Sequence, residues 1–204
     1  MTTMILDTKL EKRLLEERRA WGADKFDEVW EGVYVMAPLP NDEHQNLAGK
    51  FCAILIELLG WQGLAEVLPG VNLAASAGEW TEDFRCPDVA VFLRDTQAEN
   101  CDTHWRGAAD FLIEITSPGD RTHEKIAFYN RIGVHEVLIV NRETWTLELY
   151  QRQEGKLQKT VESRLPECAT LTSCKVPLTF QLCPGEKRPT IKVAHPAGDR
   201  TWLL

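Results

Sequence analysis

The apolar positions change their period several times along the chain, and each change predicts an element. Phe111 to Ile115 is a short apolar run, the pattern of a buried strand, and a single polar residue, Glu114, breaks it. Ser117, Pro118, Gly119 and Asp120 then interrupt the β pattern and offer helix-start chemistry, with Asp120 as the expected N-cap. From Arg121 to Ile132 the spacing predicts a helix carrying Thr122, Lys125, Tyr129 and Ile132 on one face. Gly133 suits the left-handed position after a helix, and Val134 to Val140 reads as a second strand, so the unit is strand, helix, strand.

The same reading extends to both sides. Asp7 to Ala20 is a charged helix with Leu6, Leu10 and Leu14 at i+4 spacing, better suited to packing or to a dimer arm than to catalysis. Phe26 to Met36 alternates about Glu31-Gly32 as a β-hairpin does, and Pro38 and Pro40 end it. With Asn41 or Asp42 as cap, a helix is expected to Leu59, its core face formed by Leu47, Phe51, Ile54, Leu55 and Leu58, with His44 at the edge of that face. Leu64 to Leu68 and Val71 to Ala75 read as strands broken at Pro69-Gly70. A further strand follows Pro87-Asp88 and runs to Leu93, which puts Asp88 at its mouth. Val137 to Val140 and Thr146 to Tyr150 form a hairpin, and three more strands are expected at Val176 to Leu182, Thr190 to His195 and Thr201 to Leu204.

Composition narrows the class. A length of 204 residues with 44% apolar content suffices for one compact unit, divided here into an N-terminal helical arm (1–25), a core (26–155) and a C-terminal β extension (156–204). No apolar run approaches the length of a membrane span and charges interrupt the N-terminal stretch, so a cytoplasmic protein without membrane association is expected. Six cysteines without a CxxC pair read as reduced structural thiols, and a zinc site at Cys168, Cys174 and Cys183 lacks a histidine at ligand spacing. The net charge of −8 argues against binding nucleic acid through a general basic surface but leaves room for a local basic groove.

The chemistry concentrates at three residues. A carboxylate inside a buried strand is costly unless a cation meets it, so Glu114 calls for a basic side chain or a metal ion. Asp88 lies on the strand expected to pair with that of Glu114, and Lys125 lies on the inner face of the helix that follows. Two carboxylates held close repel and need a bound proton or a divalent ion, and hard oxygen ligands suit Mg²⁺ or Mn²⁺.

Pro87-Asp88, Glu114-Ile115-Thr116 and Lys125 together resemble the PD-(D/E)XK nuclease superfamily, and within it the Uma-two family of restriction-endonuclease-like bacterial nucleases. The resemblance runs from Phe26 to Tyr150. It takes in the Glu31-Gly32 hairpin, His44-Gln45 after the prolines, the Cys86 to Val91 strand, the Glu114 to Pro118 turn, Lys125 with Tyr129, and Gly133-Val134. One departure stands out: the superfamily's commonest lysine position, two residues after the acid, is Thr116 here, and Lys125 resembles the migrated lysine that this branch supplies from the helix.

The resemblance implies an α/β fold with a mixed sheet, in which a restriction-endonuclease-like α-β-β-β-α-β core carries the N-terminal helix and hairpin and the C-terminal β extension. It implies Mg²⁺-dependent endonuclease cleavage of DNA, for which a homodimer would let two sites address both strands. Asp88, Glu114 and the carbonyl of Ile115 would hold the metal and Lys125 would orient water or balance phosphate charge, with Glu31, His44, Gln45 and Tyr129 as candidate additions. Two other readings stay open: a non-catalytic protein that keeps the nuclease fold for binding or assembly, and a hydrolase of a small phosphorylated substrate. A lysine within hydrogen-bonding distance of the acids favours catalysis.

Overall fold

The structure is a computed structural model in which residues 3–75, 80–117 and 119–204 are described. Its centre is a six-stranded mixed sheet in the spatial order Lys156–Ser163, Thr146–Gln153, Glu136–Asn141, Phe111–Ile115, Val89–Leu93 and Ala65–Pro69. Phe111–Ile115 pairs in parallel with Glu136–Asn141 and antiparallel with Val89–Leu93. The parallel pair needs a crossover, supplied by helix α3 (Thr122–Ile132), while the other neighbours pair antiparallel.

Alternation along the central strands divides the core. Phe111, Ile113 and Ile115 face one side with Val89, Val91, Leu138 and Val140, packed against helix α2 (Asp42–Leu55) and the C-terminal strands. Leu112 faces the other side with Ala90, Phe92, Val137 and Ile139, under Phe128 and Tyr129 of α3. Glu114, two residues beyond Leu112, therefore points toward α3.

A second sheet is built on the hairpin Glu28–Trp30 and Val33–Met36, which pairs through Glu28–Trp30 with Phe84–Arg85, itself joined to Leu73–Ala74. Two of the chain's crossings between the sheets lie at 70–72 and at 86–88. A hydrogen bond from Gly70 N–H to the Asp88 carbonyl (3.3 Å) ties the two crossings together. Gly70 has φ +58° with the ring of Phe26 against it, so that a Cβ there would come within 2.8 Å of Phe26 Cε1. Only glycine satisfies both the conformation and the contact.

The C-terminal sheet, Leu171–Thr172, Thr179–Cys183, Thr190–Ala194 and Thr201–Leu203, buries Phe180, Leu182, Ile191 and Val193 in the apolar cluster shared with α2. Lys156–Ser163, at the start of the stretch read as an extension, is instead a full partner of Thr146–Gln153 in the central sheet.

Local boundaries differ from the sequence reading where side chains have other work. Helix α3 begins at Thr122 with Arg121 at its N-cap, and Asp120 sits one residue earlier. Asp120 still receives the Thr122 N–H (3.0 Å), but its other oxygen closes the turn on Ser117 N–H at 2.5 Å. Helix α2, capped by Asn41, ends at Leu55 and gives way to a π-helical turn, Ile56–Gly60. Helix α1 (Thr8–Ala20), capped by Asp7, buries none of its residues. It is anchored through Arg18, which donates to Asp27 Oδ2 at 2.6 Å and Oδ1 at 2.7 Å, at the foot of the hairpin. Among the described residues no helix is long and apolar enough to cross a membrane.

Candidate active site

The seam between the two sheets opens into a cavity of about 310 Å³ whose floor carries the polar residues. Asp88 arrives from the crossing at 86–88. Extending the antiparallel register by one residue places it beside Glu114, and its Oδ2 accepts the Ile115 N–H at 2.7 Å. Its Oδ1 lies 3.2 Å from His44 Nε2, which the first turn of α2 delivers. The Nδ1 of His44 is buried without a hydrogen-bond partner.

Glu114 is almost fully buried, at 3% exposure. Lys125 Nζ donates to both of its oxygens, at 3.2 and 3.1 Å, and the Tyr129 hydroxyl donates to Oε1. Lys125 and Tyr129 are one turn apart on the inner face of α3, so the helix presents both to the same carboxylate. Lys125 has a second partner, Glu28 Oε1, at 2.8 Å. Glu28 is held in turn by the Cys86 N–H (2.8 Å) and by the indole N–H of Trp30 (2.6 Å).

Two carboxylates thus share one lysine with a third, Asp88, close by, leaving negative charge in surplus at a buried place. Burial, with repulsion from Asp88 and Glu28, raises the Glu114 carboxyl to about 8 against the pull of Lys125 and Tyr129. Burial works against the Lys125 charge, but Glu114 and Glu28 outweigh it and hold the ammonium well above its ordinary range. Tyr129 is likewise pushed up by burial and by Glu114. At neutral pH the floor therefore holds a charged lysine, a neutral phenol and a Glu114 carboxyl that takes up a proton far more readily than an exposed one.

The sequence-predicted residues fall into two groups. Asp88, Glu114, Ile115, Lys125, His44, Gln45 and Tyr129 come together: Tyr129 lies just behind the floor, Gln45 is exposed on the cavity's edge, and the others line it. Glu31 does not. It occupies the hairpin turn with φ 50° and pairs with Arg131 at 2.7 Å, outside the cavity. The reason is the two-residue period of the strand: Glu28 and Trp30 face inward and the turn carries Glu31 out. Glu28 is the acid that sequence reasoning missed, although its alternation with Trp30 was the available signal. Arg121, at the start of α3, also reaches the cavity wall, with its guanidinium 5.4 Å from the Trp30 ring centroid.

With this geometry in place, the comparison with known proteins decides the family. The family model Uma2, described as "Putative restriction endonuclease", matches residues 17–181. The chain belongs to the Uma2 family. A solved structure, titled as a putative nuclease belonging to DUF820 from Anabaena variabilis ATCC 29413, superposes on this Uma2 chain with a TM-score of 0.58. It is 18% identical, and the match covers 72% of this chain and 80% of that one. At that identity the likeness establishes the fold, a mixed α+β restriction-endonuclease-like architecture. No curated protein matches the Uma2 chain significantly.

The donor set can be tested against a divalent ion. Among the described residues no three His, Cys, Asp or Glu side chains converge on one metal-sized point, at this floor or at Cys168, Cys174 and Cys183. Mg²⁺, however, keeps several waters and uses only one or two protein carboxylates. Asp88 and Glu114 with the main-chain carbonyl of Ile115 are hard oxygen donors, and the surplus of buried negative charge is what a divalent cation would offset. The residues fit Mg²⁺ or Mn²⁺ and suit zinc poorly.

Proposed function

We propose that this chain is a Mg²⁺- or Mn²⁺-dependent endonuclease that hydrolyses phosphodiester bonds in DNA. The observation that carries the reading is Lys125, bonded to Glu114 at the floor of an open cavity with Asp88 on the neighbouring strand. The family's description and the nuclease title of the structural neighbour support it.

In this reading Asp88, Glu114 and the Ile115 carbonyl hold the ion. When bound, the metal would polarise the scissile phosphate and lower the pKa of water. Lys125, kept protonated by two acids, places a fixed positive charge where a phosphate accumulates negative charge during cleavage. Its three donors are taken by Glu28 Oε1 and the two Glu114 oxygens, so it orients the attacking water by exchanging one Glu114 oxygen for it. Tyr129 fixes the Glu114 carboxylate, and Glu28 fixes Lys125. His44, beside Asp88 with its second nitrogen unpartnered, can take or give a proton at the cavity wall.

The alternative, a non-catalytic protein that retains the fold, predicts a lysine turned to solvent. Here the lysine side chain is 14% exposed and bonded to Glu28 and Glu114. The test is plasmid nicking in Mg²⁺, in Mn²⁺ and in EDTA, with Asp88→Asn beside the natural protein. Cleavage that needs the metal and disappears in the variant is the expected result, and undiminished cleavage by Asp88→Asn overturns the assignment.

A further inference from the structure

We infer that the cavity receives one unstacked nucleotide, so that the substrate is single-stranded or locally unpaired DNA rather than an intact duplex; this rests on the nuclease reading above. The first ground is depth. Glu114 is 3% exposed and the lysine side chain 14%, so a phosphate must enter the seam to meet them. A phosphate in an intact duplex is flanked by stacked neighbours that cannot follow it into about 310 Å³, a volume at the lower end of small-molecule sites (roughly 300–1,000 Å³).

The second ground is the wall. Besides the acids the cavity is lined by Phe26, Trp30, Pro38, Pro40 and Pro69, flat aromatic and ring surfaces that suit a base face. Phe26 stands at the lip, 37% exposed, with its ring supported from behind by Gly70. An aromatic residue left that open beside a cavity is placed to stack on an incoming base, whereas Trp30 is fixed deeper by its bond to Glu28.

The third ground is charge. The cavity lining offers two basic side chains besides His44, Lys125 at the floor and Arg121 at the wall near Trp30. Lys125 is held by Glu28 and Glu114 and Arg121 by Glu124, so the two phosphates flanking a single nucleotide would bind by exchanging with these carboxylates. A net charge of −8 argues against the broad positive face that tracks a duplex. Extruding a nucleotide from a duplex costs energy that an unpaired strand does not require, so selection for unpaired DNA follows from the shape of the site.

The test compares one sequence as a single strand, as a duplex and as a duplex with an unpaired loop. Cleavage in Mn²⁺ is measured with the natural protein, and affinity by fluorescence anisotropy with Asp88→Asn in EDTA. Preferential cutting and binding of the single strand and the loop are expected, with Phe26→Ala in the Asp88→Asn background weakening single-strand binding about 10-fold or more and leaving the melting temperature within a few degrees. Equal cutting of duplex and single strand, with affinity unmoved by Phe26→Ala, overturns the inference and leaves the nuclease reading intact. Absence of any cleavage, with single-strand binding that Phe26→Ala weakens, overturns the nuclease reading and leaves the nucleotide pocket standing. Loss of the folded signal in Phe26→Ala is met by Phe26→Leu, which keeps the packing on Gly70 and removes the ring. Undiminished binding by that variant also overturns the inference.

Discussion

Lys125 Nζ lies 2.8 Å from Glu28 Oε1, a bond between the crossover helix of the central sheet and a strand of the hairpin sheet. The same ammonium satisfies Glu114, so removing it strands two buried carboxylates at once. Lys125→Met is expected to lower stability by about 3–5 kcal/mol at pH 8 and by less at pH 5, where Glu114 takes up a proton. Urea unfolding at the two pH values measures the difference. An equal cost at both would show that charge is not the cause.

The raised Glu114 carboxyl fixes the sign of a pH effect. Its folded value of about 8 exceeds its ordinary 4.5, so between these values the folded protein binds more protons than the unfolded chain. Stability therefore falls as pH rises from about 4.5 to 8. Lys125 stays charged throughout that window and contributes no slope. Thermal melts of the metal-free protein should show the decline, Glu114→Gln should flatten it, and Mg²⁺ should offset it at pH 8 by stabilising the charged form.

Asp88→Asn separates chemistry from fold. The asparagine oxygen can still accept the Ile115 N–H that Asp88 receives at 2.7 Å, so the stability change should stay within about 1.5 kcal/mol. Cleavage should fall by about 100-fold or more, through loss of the charge that holds the ion and faces His44. A titration of Mg²⁺ against nicking rate would distinguish weakened metal binding from a slower chemical step.

Glu28→Gln tests the residue that joins the two sheets at the floor. Its amide cannot accept at once from the Trp30 indole, the Cys86 N–H and Lys125, so a loss of about 1–3 kcal/mol is expected. Nicking should also slow as Lys125 loses one of its two fixed anchors. A fully active and fully stable Glu28→Gln variant would remove Glu28 from the site.

Much of this was legible in the chain. Period and breaker residues placed the strand of Glu114, the crossover helix and the strand after Gly133, and with them the meeting of Glu114 and Lys125. Asp88 followed because antiparallel neighbours bring a strand mouth beside a strand end. Glu28 escaped because the turn residue Glu31, three positions on, carried the same chemistry and the more conspicuous motif. Only the inward alternation with Trp30 separates the two, and the pairing of Glu28 with Lys125 is a contact between elements that no local pattern encodes. The Phe26 contact with Gly70 was hidden for the same reason, since it joins the turn before Glu28–Trp30 to the bend after Ala65–Pro69.

The double passage of the chain at 70–72 and 86–88 makes the cavity a joint as well as a pocket. An occupant that grips the Trp30 wall and the Glu114 floor together rivets one sheet to the other. The Lys125–Glu28 pair and the Gly70–Asp88 hydrogen bond already fasten that joint, so such an occupant would add one more tie to a hinge line the chain has stitched for itself.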